Sequence, residues 1–408
     1  MSVDPSLVHM TVSLSPVGEH LVALAAKIGD EFARPNAAAV DAEGRFPVEA
    51  IGALREARLL GAYLPVALGG EGATMADIVA IGHALGRRCS STAMVFAMHQ
   101  IQVACLAHHG LQVEATREFS SRVARDQLLL ASATTETGVG GDVRSSLCSV
   151  EVDGGVARLS KDTPVISYAD YADAILATAR RNTNAPASDQ VICIVERSDA
   201  SLKQTTTWDT LGMRGTCSNG YLLEATFPAD RIIALPYAEV SARTMLPVSH
   251  LTWAGLWLGI ATDAFDRMRT FLRAQARKTP GSLPDAASDV ASLHGKLDGV
   301  TSLLRVNLER YAAFGAIDAL ESTPPATFSL HMNALKTTVS VQVADIVREC
   351  LYVLGIAGYK NDSPYSVGRH LRDVLSAGIM VHNERIKTNS GALLCVVKED
   401  LFPSGASR

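Results

Sequence analysis

The chain has 408 residues, 48% of them hydrophobic and 19% charged, with a formal net charge of −5. That composition supplies a large apolar core and excludes a disordered chain, and the mildly acidic balance leaves no basic field for nucleic acid or an anionic lipid surface. No apolar run reaches the roughly 20 residues that span a bilayer, and Met1 to Pro16 lacks a cationic segment followed by an apolar one, so neither a membrane span nor an export signal is expected.

The length predicts two or three packed units. In the first third, Val22 to Phe32 and Val48 to Leu60 place apolar residues at three- and four-residue spacing, which predicts helices. Gly61 to Pro65 and Leu68 to Gly72 break the pattern, and helix resumes from Met75 through Leu106. From Leu128 the composition turns to Thr, Val and Gly. Ser146 to Val152, Ala174 to Thr178 and Val191 to Val195 read as strands, Gly154-Gly155 as a hairpin turn, and Arg181 to Gln190 as a surface loop. After Pro236 the helical period returns over Leu251 to Ala276, Ala287 to Phe314, Thr327 to Leu354 and Ile379 to Val397, with breaks at Thr279 to Pro284 and Glu321 to Pro325. The expected units are therefore 1–127 (helical), 128–236 (β) and 237–408 (helical). Seven cysteines without C-x-x-C spacing suit reduced thiols and a cytoplasmic setting, and no metal site is expected.

Several strings stand out. Thr134-Thr135-Glu136-Thr137-Gly138-Val139-Gly140-Gly141-Asp142 is a Gly-rich loop. Leu211 to Tyr221 contains Gly212-Met213-Arg214-Gly215-Thr216-Cys217-Ser218. Gly355-Ile356-Ala357-Gly358-Tyr359 precedes Arg369-His370-Leu371-Arg372-Asp373. Together these resemble the acyl-CoA dehydrogenase family, and the resemblance runs over nearly the whole chain. It implies an α+β fold with an N-terminal all-α domain, a middle β-barrel-like domain and a C-terminal four-helix bundle. It also implies an FAD flavoprotein, assembled as a homodimer or homotetramer, that oxidises an acyl thioester and passes electrons to an acceptor that the chain does not name.

The resemblance further assigns residues. Thr134, Thr135, Gly140 and Gly141 would lie along the flavin, because a backbone without Cβ atoms approaches a ring edge closely. Gly141 stands where the family has Ser. Ile166 and Ser167 fall next to the flavin, with Val165 in place of an aromatic residue. Arg214 and Ser218 would wall the substrate space, and Asn383 would meet the cofactor. Arg277 would hold the FAD pyrophosphate across a subunit interface, its planar fork matching phosphate oxygens, although Pro280 replaces the family's Phe. Gly355 and Gly358 would approach a neighbouring subunit's FAD, and Arg369, Arg372 and Asp373 would form a structural ion-pair cluster beneath it.

One family feature is missing. The catalytic Glu of the family's Tyr-Glu-Gly-Thr element is replaced by Val381 in Met380-Val381-His382-Asn383. Three groups could take its place as proton acceptor: His382 beside the vacancy, Glu384 one helical turn on, and His250 at the position used by a second branch of the family. Dehydrogenation at Cα–Cβ by such a base is one expectation. A second is flavin-dependent oxygenation of a CoA-linked or specialised metabolite, with His99, Ser167 and His382 around the flavin and O₂ as co-substrate. A third is a catalytically silent homologue that binds FAD or acyl-CoA.

Overall fold

The computed structural model describes residues 13–278, 286–316 and 324–397. The expected break at Thr279 to Pro284, with Pro280, lies outside the described residues, as does most of the one at Glu321 to Pro325.

The N-terminal helices are α1 (Pro16–Ile28), α2 (Arg34–Glu43), α3 (Val48–Glu56), α4 (Met75–Gly86), α5 (Ser90–His109) and α6 (Glu114–Asp126). A π-helical turn at Gly29–Ala33 joins α1 to α2, so the expected helix to Phe32 runs on rather than stopping. The expected helix from Met75 to Leu106 is two helices, because Arg87 to Cys89 leave the helical path. Asp77 opens α4 through a capping box with Thr74 and also accepts the Ser15 hydroxyl at 2.7 Å, so one buried carboxylate caps two helices.

The strands are β1 (Leu130–Ala133), β2 (Glu151–Asp153), β3 (Val156–Thr163), β4 (Ala174–Arg180), β5 (Gln190–Glu196), β6 (Ala200–Thr206), β7 (Gly220–Pro228) and β8 (Ile232–Ile233). They form two four-stranded sheets, ordered β1-β4-β5-β8 and β2-β3-β7-β6. The sheets do not close into a barrel, and the order of helical N-terminal domain, central sheet domain and helical C-terminal domain is the expected one. β4 and β5 pair antiparallel and are buried along both faces, whereas β3 alternates buried and exposed residues and covers the core with one face only. The expected strand from Ser146 shrinks to Glu151–Asp153 plus a single bridge from Ser149 to Arg180. Gly154 and Gly155 make the tight β2–β3 connection, both at positive φ.

The C-terminal helices are α7 (Tyr237–Val240), α8 (Leu246–Ala276), α9 (Ala287–Ala316), α10 (Ala326–Leu354), α11 (Ile356–Tyr359), α12 (Gly368–Ile379) and α13 (Asn383–Leu394). The expected helix from Ile379 to Val397 is interrupted: Met380, Val381 and His382 form a turn between α12 and α13.

The central helix α8 crosses α4 at backbone contact. A Cβ on Gly86 would sit 2.4 Å from the Leu256 carbonyl oxygen, and one on Gly259 the same 2.4 Å from that of His83. Gly86→Ala is therefore expected to cost about 1–3 kcal/mol through overpacking against a rigid backbone. Chemical denaturation checks this: a midpoint equal to wild type would mean that the crossing is not tight.

Candidate functional site

Between the sheets and the helices lies a cavity of about 520 Å³. Its walls come from four places: Thr134 and Thr135 after β1, Val165 and Ser167 after β3, the segment Trp208 to Ser218, and the helices α5, α8 and α12 through Met94, Met98, Trp253 and Arg372. Met380 and Val381 complete it. A second chamber of about 140 Å³ shares Met98, Thr134, Trp253 and Val381 with the first, and adds Gln102, Tyr237, Ser241, Ser249 and His250.

Hydroxyl groups line one side. Ser167 Oγ lies 2.7 Å from Ser218 Oγ, which is 2.8 Å from Thr216 Oγ1. Thr135 donates to the Val165 carbonyl at 3.2 Å and meets the Thr163 hydroxyl at 3.1 Å. The loop reaches this position because Gly138, Gly140 and Gly141 all take positive φ, which side-chain-bearing residues rarely adopt. Glu136 points away from the cavity and anchors the loop, accepting from the Ser146 hydroxyl at 2.6 Å and the Cys148 N–H at 2.6 Å beside Lys161. Burial pushes its carboxyl up, but these donors and the Lys161 charge outweigh that and hold it below the usual range.

The other site expectations separate. Val381 lines both spaces and His250 lines the chamber. His250 Nδ1 lies 3.0 Å from the Met332 carbonyl, so it carries the proton and leaves Nε2 as an acceptor. Burial and the nearby Lys336 charge hold the ring neutral, its pKa lowered to about 3. His99 is different. Its Nε2 donates to the Leu60 carbonyl at 2.7 Å and its Nδ1 accepts the Leu130 N–H at 3.0 Å, so both nitrogens serve the backbone. His382 and Glu384 are exposed, and Glu384 pairs with Lys387 at 2.9 Å; neither borders the cavities.

Arg214 is a staple rather than a wall, bonding the Asp41 carbonyl at 2.7 Å and Asp209 at 2.8 Å. Ile166 is fully buried behind the lining. Gly140 and Gly141 lie outside the lining, and their carbonyls accept from the Arg385 guanidinium. Arg277 is exposed at the end of α8, and Gly355 takes φ 56° between α10 and α11; with Gly358 they also lie outside both spaces. Arg369, Arg372 and Asp373 sit within reach of one another's charge but make no direct ion pair among the described residues. Arg372 pairs with Asp41, Asp373 accepts the Met213 N–H at 2.7 Å, and Arg369 reaches the Arg88 carbonyl.

Lys336, which the motifs did not flag, organises the vacant position together with Asn383, which they did. Lys336, fully buried in α10, donates to the Val381 carbonyl at 3.2 Å and to Asn383 Oδ1 at 2.6 Å. Asn383 donates in turn to Ser340 Oγ at 3.0 Å, so its amide is engaged by α10 rather than presented to the cavity. Burial lowers the Lys336 pKa to about 8. Its place on the buried stripe Met332-Lys336-Ser340-Val343 is a signal that helical periodicity offers. Val381 itself has φ 44°, a conformation that a β-branched residue adopts only under constraint. The Lys336 and Asn383 bonds supply that constraint.

Comparison with known proteins follows this geometry. Residues 17–125 match the description "Acyl-CoA dehydrogenase, N-terminal domain" and residues 240–381 match "Acyl-CoA dehydrogenase, C-terminal domain". The chain is 25% identical over 362 residues to the amino sugar nitrososynthase of Streptomyces peucetius, covering 83% of this chain and 84% of that one. It is 23% identical over 352 residues to a putative acyl-CoA dehydrogenase of Bacillus subtilis, covering 85% and 89%. Among solved structures, the FMN-bound dibenzothiophene monooxygenase of Paenibacillus sp. A11-2 shares the fold, with TM-score 0.81 at 16% identity over 93% and 98% of the chains.

Two outcomes are expected from the site's physics. Asn tolerates the left-handed conformation, so Val381→Asn should raise stability by about 1 kcal/mol in equilibrium unfolding; a loss of that size would contradict the strain. His99, His109 and His250 are each lowered from 6.5 to about 4, 4 and 3 by burial. The unfolded chain therefore binds more protons below pH 6.5, and stability should fall as pH drops from 6.5 through about 4. Unfolding midpoints across that range test it, and a flat profile would refute it.

Proposed function

The chain belongs to the acyl-CoA dehydrogenase family, and we propose that it is a flavin-dependent oxygenase built on that fold rather than a Cα–Cβ dehydrogenase. One observation carries this reading: among the described residues, neither connected space is bordered by an Asp or Glu. Dehydrogenation needs a base beside the substrate α-carbon, and the position that supplies a carboxylate in the family is here an apolar wall.

FAD is the family cofactor and the one we assign. The residues fit it: a row of hydroxyls, Thr135, Ser167, Ser218 and Thr216, faces a cavity whose other walls include Met94, Met98, Trp208 and Trp253. That pattern suits a flat ring with polar atoms along one edge. Bound flavin supplies two-electron redox chemistry and, once reduced, reaction with O₂. The protein's part is to orient the ring through these hydroxyls, to exclude water with the Met and Trp side chains, and to keep a neutral imidazole, His250, in the adjoining chamber. Arg277, Gly355 and Gly358 are assigned to a partner subunit's cofactor in a homodimer or tetramer. Support comes from Tyr352, Ile356 and Tyr359, each 72% exposed in the isolated chain, an arrangement that favours coverage by a second protomer.

A second reading rests on His250. Its Nε2 is unprotonated and borders the chamber, so anaerobic oxidation of an acyl thioester would use it as the base.

The two readings separate in one experiment. The oxidised holoenzyme should stay yellow when mixed anaerobically with butyryl-CoA, and the reduced holoenzyme should be reoxidised by O₂ at a rate that butyryl-CoA does not suppress. Anaerobic bleaching with enoyl-CoA formation, abolished by His250→Phe, would overturn the oxygenase reading in favour of the dehydrogenase.

A further inference from the structure

The small chamber behind the main cavity is more polar than an alkyl-chain tunnel requires. Gln102 on α5 is buried, with 3% of its surface exposed, yet its amide makes no hydrogen bond among the described residues, and its Oε1 has neither partner nor solvent. His250, with Nδ1 committed to the Met332 carbonyl, presents Nε2 as a second unused acceptor. Trp253, which borders both spaces, has an indole N–H that is likewise buried without a partner. A buried polar group left unpaired costs about 1–3 kcal/mol, so such a cluster marks a place where a ligand completes the bonding.

Their chemistry defines the missing group. The acceptors Gln102 Oε1 and His250 Nε2, with the donors Trp253 Nε1–H and the Gln102 amide nitrogen, call for a group that both donates and accepts. Charge is excluded on both sides. An ammonium ion would find no carboxylate, since none borders the chamber among the described residues, and would feel the Lys336 charge that already depresses His250. A carboxylate would find no free cation there, because Lys336 is engaged by Val381 and Asn383. The remaining walls, such as Met98, Ile101, Met245 and Leu246, are apolar. We propose that this chamber is a subsite for a neutral hydroxyl group carried on a compact hydrocarbon part of the substrate, read by Gln102 and His250. The inference rests on the reading above that substrate occupies these spaces beside the flavin. It narrows the substrate to a hydroxylated molecule and excludes a plain alkyl end.

Phenol and toluene test it, since they differ only by hydroxyl for methyl at equal size. Flavin content of the holoenzyme is first measured by absorbance, then the affinity of each probe by calorimetry, then the position of phenol by crystallography. Phenol should bind about tenfold more tightly than toluene, with its oxygen within hydrogen-bond distance of the Gln102 amide. Gln102→Leu, of similar size, should erase that preference while flavin content stays unchanged. Equal affinities, tighter toluene binding, or a chamber that holds only an ordered water in the phenol crystals would overturn the subsite. The wild-type comparison and the crystal structure stand even if the variant fails to fold. Loss of the flavin reading is seen separately, as protein that retains no flavin under any condition.

Discussion

The contact on which the site depends is the crossing of α4 and α8. Gly86, Gly255 and Gly259 remove the side chains that would hold the two helices apart, so each helix rests on the other's carbonyl oxygens. Helices usually pack about 8–10 Å apart, with side chains between them. Here the close approach seats the N-terminal helices directly on the bundle. It also fixes the height at which α8 carries His250 and Trp253 beneath the sheets. Both cavities follow from that height, since α5 contributes their opposite wall through Met94, Met98 and Gln102.

Around this crossing the charges are arranged to lock segments together rather than to face the cavity. Asp263 on α8 holds His370 of α12 at 2.8 Å and Arg267 at 2.8 Å. Asp373 takes the Met213 N–H, and Arg372, besides pairing with Asp41 of α2, donates to the Leu211 carbonyl at 2.9 Å. The segment from Trp208 to Ser218 is thus pinned to α12 from two adjacent residues. Ionic groups spent in this way leave a lining of hydroxyls, thioethers and indoles, with Arg372 the one charged side chain among the described residues lining the main cavity.

The helical and β segments were legible because their periodicity is local. Burial along β4 and β5, and the long period of α8, α9 and α10, need no knowledge of partners. The Gly-rich loop and the 212–218 string were legible as motifs, and Thr134, Thr135, Ser167 and Ser218 do line the cavity. What failed to show was anything that depends on contacts across the chain. The turn at 380–382 hides inside an apolar run, since the positive φ at Val381 goes with a carbonyl bonded by Lys336 from another helix. His99 carries a chemically suggestive side chain, yet Leu60 and Leu130, distant in sequence, occupy both its nitrogens. Arg372 and Asp373 are neighbours that pair with different partners, because successive residues on a helix point in different directions. Gln102 gave no signal at all: a glutamine in an apolar helix is unremarkable until its unmet hydrogen bond is seen in place.

The lysine beneath Val381 has a bearing on which side chains position 381 can use for chemistry. A proton-accepting carboxylate works when an apolar pocket raises its affinity for protons. Residue 381 now lies in the opposite setting, with its own carbonyl held by an ammonium group 45 positions earlier in the chain. A glutamate placed at position 381 would feel that ammonium group, which favours the ionised carboxylate, and it would take up a proton poorly. A carboxylate base at this turn would therefore need a change at Lys336 as well. One buried amine on a neighbouring helix thus sets which side-chain chemistry the turn can support.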